Sequence, residues 1–173
     1  MKISASEIRK RAEEIREQIT ADRRYLHRIP EIGMDLPETA AYIRNRLDEM
    51  GIPWQNCGGD IPEKMTEDFM EAGFPRMERA VGVTAVIGKG RPCILLRADM
   101  DALPIREESD LEFRSCSGYG HMCGHDSHAA MLLGAARILK DMEDSLKGSV
   151  KLVFQPGEET GAGARVMVEN GLL

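Results

Sequence analysis

Between residues 121 and 128 the sequence reads HMCGHDSH, which places three of the four histidines and one of the four cysteines in eight positions, next to Asp126. A second acidic feature, Glu158-Glu159, follows in FQPGEETGAG. Imidazole and thiolate together suit a borderline ion such as zinc, and carboxylates complete such sites. A glutamate that does not ligate, beside one that does, is a natural general base for an activated water. Taken singly, each signal is weak. Cys123-x-His125 on its own is as readily structural as metal-binding, although Gly124 lets the backbone turn so that both side chains converge from a loop. Glu-Glu is common, and a solvated acidic turn is its plain alternative. The Gly-His-Asp-x-His flank and the position of the glutamates after an apolar run shift the reading to a metal site. Neither His nor Cys occurs after His128.

Other polar residues are expected to support this cluster. His128 falls in the first turn of the next helix, either as a donor that orients a ligating group or as a solvent-facing histidine at a helix start. Asp126 is placed to cap that helix while bracing the cluster. Asp99 and Asp101, in LRADMDALP, follow another apolar run. Ligating or bracing a ligand histidine and capping a turn weigh equally for them. His121 is read as an ordinary loop residue. His27 closes the first helix, where a cation complements the helix dipole.

The elements that must position these groups are legible from periodicity. Ser4-x-x-Glu7 resembles a capping box, and Ile8, Ala12, Ile15 and Ile19 recur at helical spacing, so residues 5–27 are predicted to form one amphipathic helix. IPEIGMDLP is a loop. Pro37 opens a second helix with Ala40, Ile43, Leu47 and Met50 on one face, and Gly51 ends it. PEKMTEDFMEAG, between Pro62 and Gly73, is a short surface helix. Residues 81–88 and 93–99 read as strands flanking a Gly-Lys-Gly-Arg-Pro turn, hence a hairpin. The second run is nearly all apolar, like a buried strand with a functional end. A helix is predicted from Asp126 to about Glu143 with Leu132, Ala135, Leu139 and Met142 inward, a buried strand over 148–156, and a helix from Gly161 to Asn170 that Gly171 stops. Strands alternating with helices imply an α/β layered fold with a partly parallel sheet, whose sites lie at the carboxyl ends of strands.

Composition sets the outer limits. The chain has 173 residues, 30% of them charged, and a net charge of −6. That length supports one core, and the acidic balance argues against a nucleic-acid footprint. No apolar run reaches membrane-span length, and MKISASEIRK lacks the apolar segment of a secretory signal. A cytoplasmic protein with reduced cysteines is expected. Cys57, Cys93 and Cys116 are read as structural or incidental.

Taken together, LHRIPEIG…ETAAYI, ILLRADMDALPI, HMCGHDSHAAMLLGAARIL and VKLVFQPGEETGAGARVMVENG closely resemble the metal-dependent aminoacylase, hippurate hydrolase and auxin-conjugate amidohydrolase family of the zinc exopeptidase clan. The resemblance keeps motif order over nearly the whole chain. It implies an α/β, three-layer, zinc-exopeptidase-like catalytic domain, here incomplete. Residues 1–173 would be its amino-terminal part, without the lid (dimerisation) domain. It also implies a centre of two divalent ions (zinc, manganese, cobalt or nickel) with Cys123, His125 and Glu159 as ligands and Glu158 as base. Asp99, Asp101, Asp126 and His128 stand behind the ligands. Two further histidine ligands of the family would lie in parts that this chain does not contain. QPGEET departs mildly from the usual QPAEEG, and 58–80 is longer than the usual connection.

The implied activity is hydrolysis of the amide bond of N-acyl amino acids or related conjugates. The implied partners are that small substrate and a second copy of the chain, with neither nucleic acid nor membrane. The alternative is a catalytically incompetent fragment that acts, if at all, with a partner. A closed structural zinc module is disfavoured, because such sites use four Cys or His ligands in paired spacing.

Overall fold

The computed structural model describes residues 4–173; residues 1–3, the head of the segment read above for a secretory leader, lie outside them. Ser4 caps α1 (Ala5–Glu14), its hydroxyl accepting from the Glu7 amide. The predicted single helix is interrupted at Ile15, whose φ/ψ of −103°/10° leaves the helical basin, and continues as α2 (Arg16–Arg28). Next come α3 (Pro37–Glu49), β1 (Trp54–Asp60), α4 (Glu63–Glu71), β2 (Arg79–Gly88), β3 (Cys93–Asp99), α5 (His125–Asp141), β4 (Ser149–Gln155) and α6 (Gly163–Glu169). Among the described residues, no helix is long and apolar enough to cross a membrane.

The four strands form one mixed sheet in the order β1-β2-β4-β3. β1 and β2 are antiparallel, as are β2 and β4, whereas β3 runs parallel to β4. The expected β2–β3 hairpin is therefore corrected: β4 lies between the two strands. Short sequence separation suggested a tight turn, but β4 competes for both partners, pairing through Val83↔Phe154 on one side and Asp99↔Gln155 on the other. β1 has no counterpart among the predicted elements. Its sequence, WQNCGGD, is poor in strand formers, and pairing with β2 holds it extended.

Period-two alternation splits β4 between two cores. Leu152 and Phe154 face α3 and α5, joining Ile43, Leu47, Val83, Ala85, Ile87 and Leu133 in the main cluster. Val153 faces the other way, against Cys57 and with Met167 and Leu172 at the chain's end. Helices on both faces give three layers, as expected. One reading fails: β3 is not buried. Ile94, Leu95 and Leu96 are 59%, 41% and 37% exposed, because β3 is an edge strand.

The topology fixes where chemistry can occur. Because β3 and β4 are parallel and in register, Asp99 and Gln155 end side by side. The loops that leave them, carrying Asp101 and Glu158-Glu159, thus emerge at the same sheet edge. α5 starts at this edge with His125.

Candidate metal centre

Gly124 adopts the left-handed conformation (φ +82°) and is the N-cap of α5, so the chain reverses between Cys123 and His125. His125 is 98% buried in effect, with only 2% of its surface exposed. Its Nδ1 lies 2.9 Å from the Asp101 carbonyl and donates to it, which leaves Nε2 as the lone-pair nitrogen. That nitrogen is 3.9 Å from Glu158 Oε2, 3.9 Å from Glu159 Oε1 and 3.8 Å from Asp99 Oδ2. The Asp101 carboxylate accepts from the Glu159 amide at 3.0 Å, so one residue ties the β3 loop to both α5 and the β4 loop.

The glutamate loop is held by its own turn. Thr160 Oγ1 donates to the Gly157 carbonyl at 2.8 Å, Gly161 N to the Glu158 carbonyl at 2.8 Å, and Gly163 N to the Gly157 carbonyl at 3.1 Å. Gly163 lies so close to β4's exit that a Cβ there would sit 1.7 Å from the Pro156 carbonyl oxygen. Backbone must move to admit a methyl group, at a cost of about 1–3 kcal/mol. Gly163→Ala is thus expected to lower the urea midpoint and to weaken cation binding together, because the displaced segment carries Glu159. Calorimetric titration and urea unfolding of the same sample check both; unchanged binding would uncouple the loop from the site.

Cys123, His125 and Glu159 each offer a ligand atom, and these atoms lie within 4.8 Å of one another. The local chemistry fits a divalent cation. Glu159 Oε1 is buried without a hydrogen-bond partner, a costly arrangement unless something else satisfies it. Local desolvation, followed by the facing carboxylates of Glu159, Glu158 and Asp99, pushes the Cys123 thiol up from its usual range. Burial works against charge on His125, but the Asp101 side chain and carbonyl, with Asp99, raise it to about 9. The site thus gathers negative charge around a histidine and a thiol, and a cation would relieve it.

The supporting residues fall out differently from the sequence reading. Asp99 Oδ2 lies 3.3 Å from His128 Nδ1, and its other oxygen contacts Arg97. His128, 44% exposed at its side chain, sits one helical turn beyond His125. Asp126 does meet a first-turn amide, accepting from Ser127 N at 2.8 Å, yet α5's N-cap is Gly124. Its other oxygen accepts from His27 Nδ1 at 2.8 Å and Arg23 Nε at 2.9 Å. His27 is consequently no exposed dipole partner. It is buried, with Nε2 at 3.1 Å from both Glu107 oxygens. His121 is buried too, with both ring nitrogens unpartnered. Burial first, then its neighbours His27 and His125, lowers it to about 4 against the opposing pull of Asp126 and Asp101. Their spacing to the cluster gave no hint of either burial; only the fold brings α2 against α5.

The pattern of peptidase family M20/M25/M40 matches residues 95–173. The chain is 43% identical over 153 residues to the IAA-amino acid hydrolase ILR1-like 5 of Arabidopsis thaliana, covering 87% of this chain and 31% of that protein. It is 40% identical over 161 residues to the N-acetyl-L-cysteine deacetylase of Bacillus subtilis (strain 168), covering 92% of this chain and 34% of that one. The chain thus spans about a third of the length of the curated relatives it matches. Among solved structures, a dinuclear metal-binding peptidase of the M20 family from Bacillus subtilis superposes with a TM-score of 0.76 at 36% identity, over 93% of this chain and 41% of that one. The aminobenzoyl-glutamate utilization protein of Klebsiella pneumoniae gives 0.68 at 28% identity, over 95% and 43%.

Proposed function

Because this chain resembles peptidase family M20/M25/M40 over residues 95–173 and aligns with amidohydrolases along most of its length, we propose that it forms the amino-terminal, metal-holding part of an amidohydrolase acting on N-acyl amino acids or related conjugates. The observation that carries this reading is the convergence of Cys123, His125 and Glu159 within 4.8 Å, with Glu158 beside them. Cys123 as thiolate, His125 through Nε2 and Glu159 through its buried Oε1 would hold a divalent ion. When bound, such an ion supplies Lewis acidity toward the amide carbonyl and acidifies water. Asp101 orients His125 through its carbonyl and fixes the Glu159 backbone through its carboxylate.

Glu158 is half exposed, with its carboxylate facing His125 Nε2 from the open side. In this position it takes a proton from water at one carboxylate oxygen, then returns it to the leaving amine. Asp126 keeps the first turn of α5 in place through His27 and Arg23. The relatives act on amide-linked amino acids by their names, and the same substrate class is the one proposed here.

On its own, a 173-residue chain with three ligands is expected to turn over little or nothing. The function is therefore tested in a chimera that joins these residues to the remaining two-thirds of the Bacillus subtilis deacetylase. The folded, manganese-, zinc-, cobalt- or nickel-loaded chimera should hydrolyse members of an N-acyl amino acid panel and lose that activity to a chelator. A folded, metal-loaded chimera with no turnover on any member would refute the proposal.

The open edge of β3 gives a second expectation. Ile94, Leu95 and Leu96 present apolar side chains beside unpaired backbone groups, a template for strand addition. The isolated chain should self-associate with rising concentration, and Leu95→Lys should shift sedimentation-velocity profiles toward monomer. Identical profiles for the two proteins would place any contact elsewhere.

A further inference from the structure

We propose that Asp99, His125 and His128 form a second, thiolate-free seat for a divalent cation, an alternative to the seat on Cys123, His125 and Glu159. It shares only His125 with that seat and otherwise stands on its own residues.

The spacing His-x-x-His puts both imidazoles on one face of the first turn of α5, with ring centroids 5.3 Å apart. Asp99, the last residue of β3, meets them from the sheet. Its Oδ2 is 3.3 Å from His128 Nδ1 and 3.8 Å from His125 Nε2, and the three ligand atoms lie within 4.8 Å of one another. Ligands held ~2.0–2.2 Å from a tetrahedral ion stand about 3.4 Å apart. Small side-chain rotations therefore suffice. Two imidazoles and one carboxylate with open positions suit several first-row divalent ions and need no sulfur.

The surroundings distinguish this seat from the first. His128 and Asp99 line an open cleft with Leu96, Arg97, Met131 and Ala135, so an ion here is reached from solvent along the β3 edge. Arg97 contacts the other Asp99 oxygen and disfavours a cation, whereas Oδ2 faces His128 Nδ1 and a bound ion would replace the proton between them. The Asp101 carbonyl occupies His125 Nδ1, so His125 has one lone pair to give. That lone pair serves one ion at a time. The two seats consequently compete, and these residues together hold a single ion that sits on one side of His125 or the other.

Cobalt(II) separates the seats by spectrum, because thiolate ligation adds an intense near-ultraviolet charge-transfer band that nitrogen and oxygen ligands lack. Cobalt is titrated into the purified 173-residue chain and its variants. Cys123→Ser should still bind one equivalent, now without the thiolate band. Adding His128→Gln or Asp99→Asn to Cys123→Ser should weaken that binding ~10-fold or more. His128→Gln alone should retain the band. Circular dichroism reports whether each variant is folded, and the half-exposed position of His128 makes its replacement tolerable. If folded Cys123→Ser binds no cobalt, or binds equally well with and without His128→Gln, the second seat does not exist. Absence of the band in the unmodified chain would instead count against the thiolate seat alone.

Discussion

Glu158→Gln in the chimeric hydrolase is expected to lower kcat by ~100- to 10,000-fold, the range for loss of a positioned general base, with metal content nearly unchanged. The amide keeps the shape of the side chain but cannot accept a proton from water. The neighbouring change separates the roles of the pair. Glu159→Gln removes charge from a buried oxygen that has no protein partner, so it should lower metal content first and activity in consequence. Inductively coupled plasma analysis beside initial rates reads both quantities. The reverse pattern, in which Glu158→Gln loses metal and Glu159→Gln keeps it but stops turning over, would exchange the two assignments. The geometry favours the order given: Glu158 is the more exposed, at 43% for its side chain against 18% for Glu159. A base must reach water and substrate, whereas a ligand must be held.

Much of this site could be read from the sequence because its chemistry is local. Cys123, Gly124 and His125 sit together on the chain, as do Glu158 and Glu159, and Asp101 lies two residues beyond an apolar strand. Residue types and turn chemistry are enough there. The layer order was also legible, since helical and strand periods alternate. What escaped depends on pairing across long separations. β4 inserts between β2 and β3 although some fifty residues separate it from β3 in sequence, a choice set by which strands share a buried face. β1, with two glycines and an aspartate, extends only because β2 offers it a partner. The apolar run of β3 suits a strand covered on both sides, but β3 is exposed because among the described residues nothing pairs with its outer edge. His27 is the clearest case. On α2 it looks like any cation near a helix end, and its partners lie 80 and 99 residues away.

That histidine carries the largest expected stability effect. Both ring nitrogens point at carboxylate oxygens, Nδ1 at Asp126 and Nε2 at Glu107. Glu107 is buried, and burial alone would raise its pKa. The Ser109 hydroxyl, the Ser115 amide and His27 outweigh this and hold it down to about 2. His27→Leu leaves two carboxylates facing an apolar side chain. Asp126 retains Arg23 and the Ser127 amide, whereas Glu107 keeps only its serine and amide donors. Removing one partner from a buried ionic group costs about 3–5 kcal/mol, well above the ~1 kcal/mol of an ordinary substitution. The change should therefore move the urea midpoint strongly downward at neutral pH. The sign of its pH dependence follows from Glu107. A carboxylate with a depressed folded-state pKa contributes stability above its unfolded value, here 4.5, and loses it as pH falls toward about 2. The Glu107 share of the gap between unmodified chain and His27→Leu should accordingly be present above about pH 4.5 and shrink below it. A midpoint shift worth less than ~1 kcal/mol at neutral pH, or a gap that widens on acidification, would mean that the bridge between α2, α5 and the Glu107 loop does not hold these elements together.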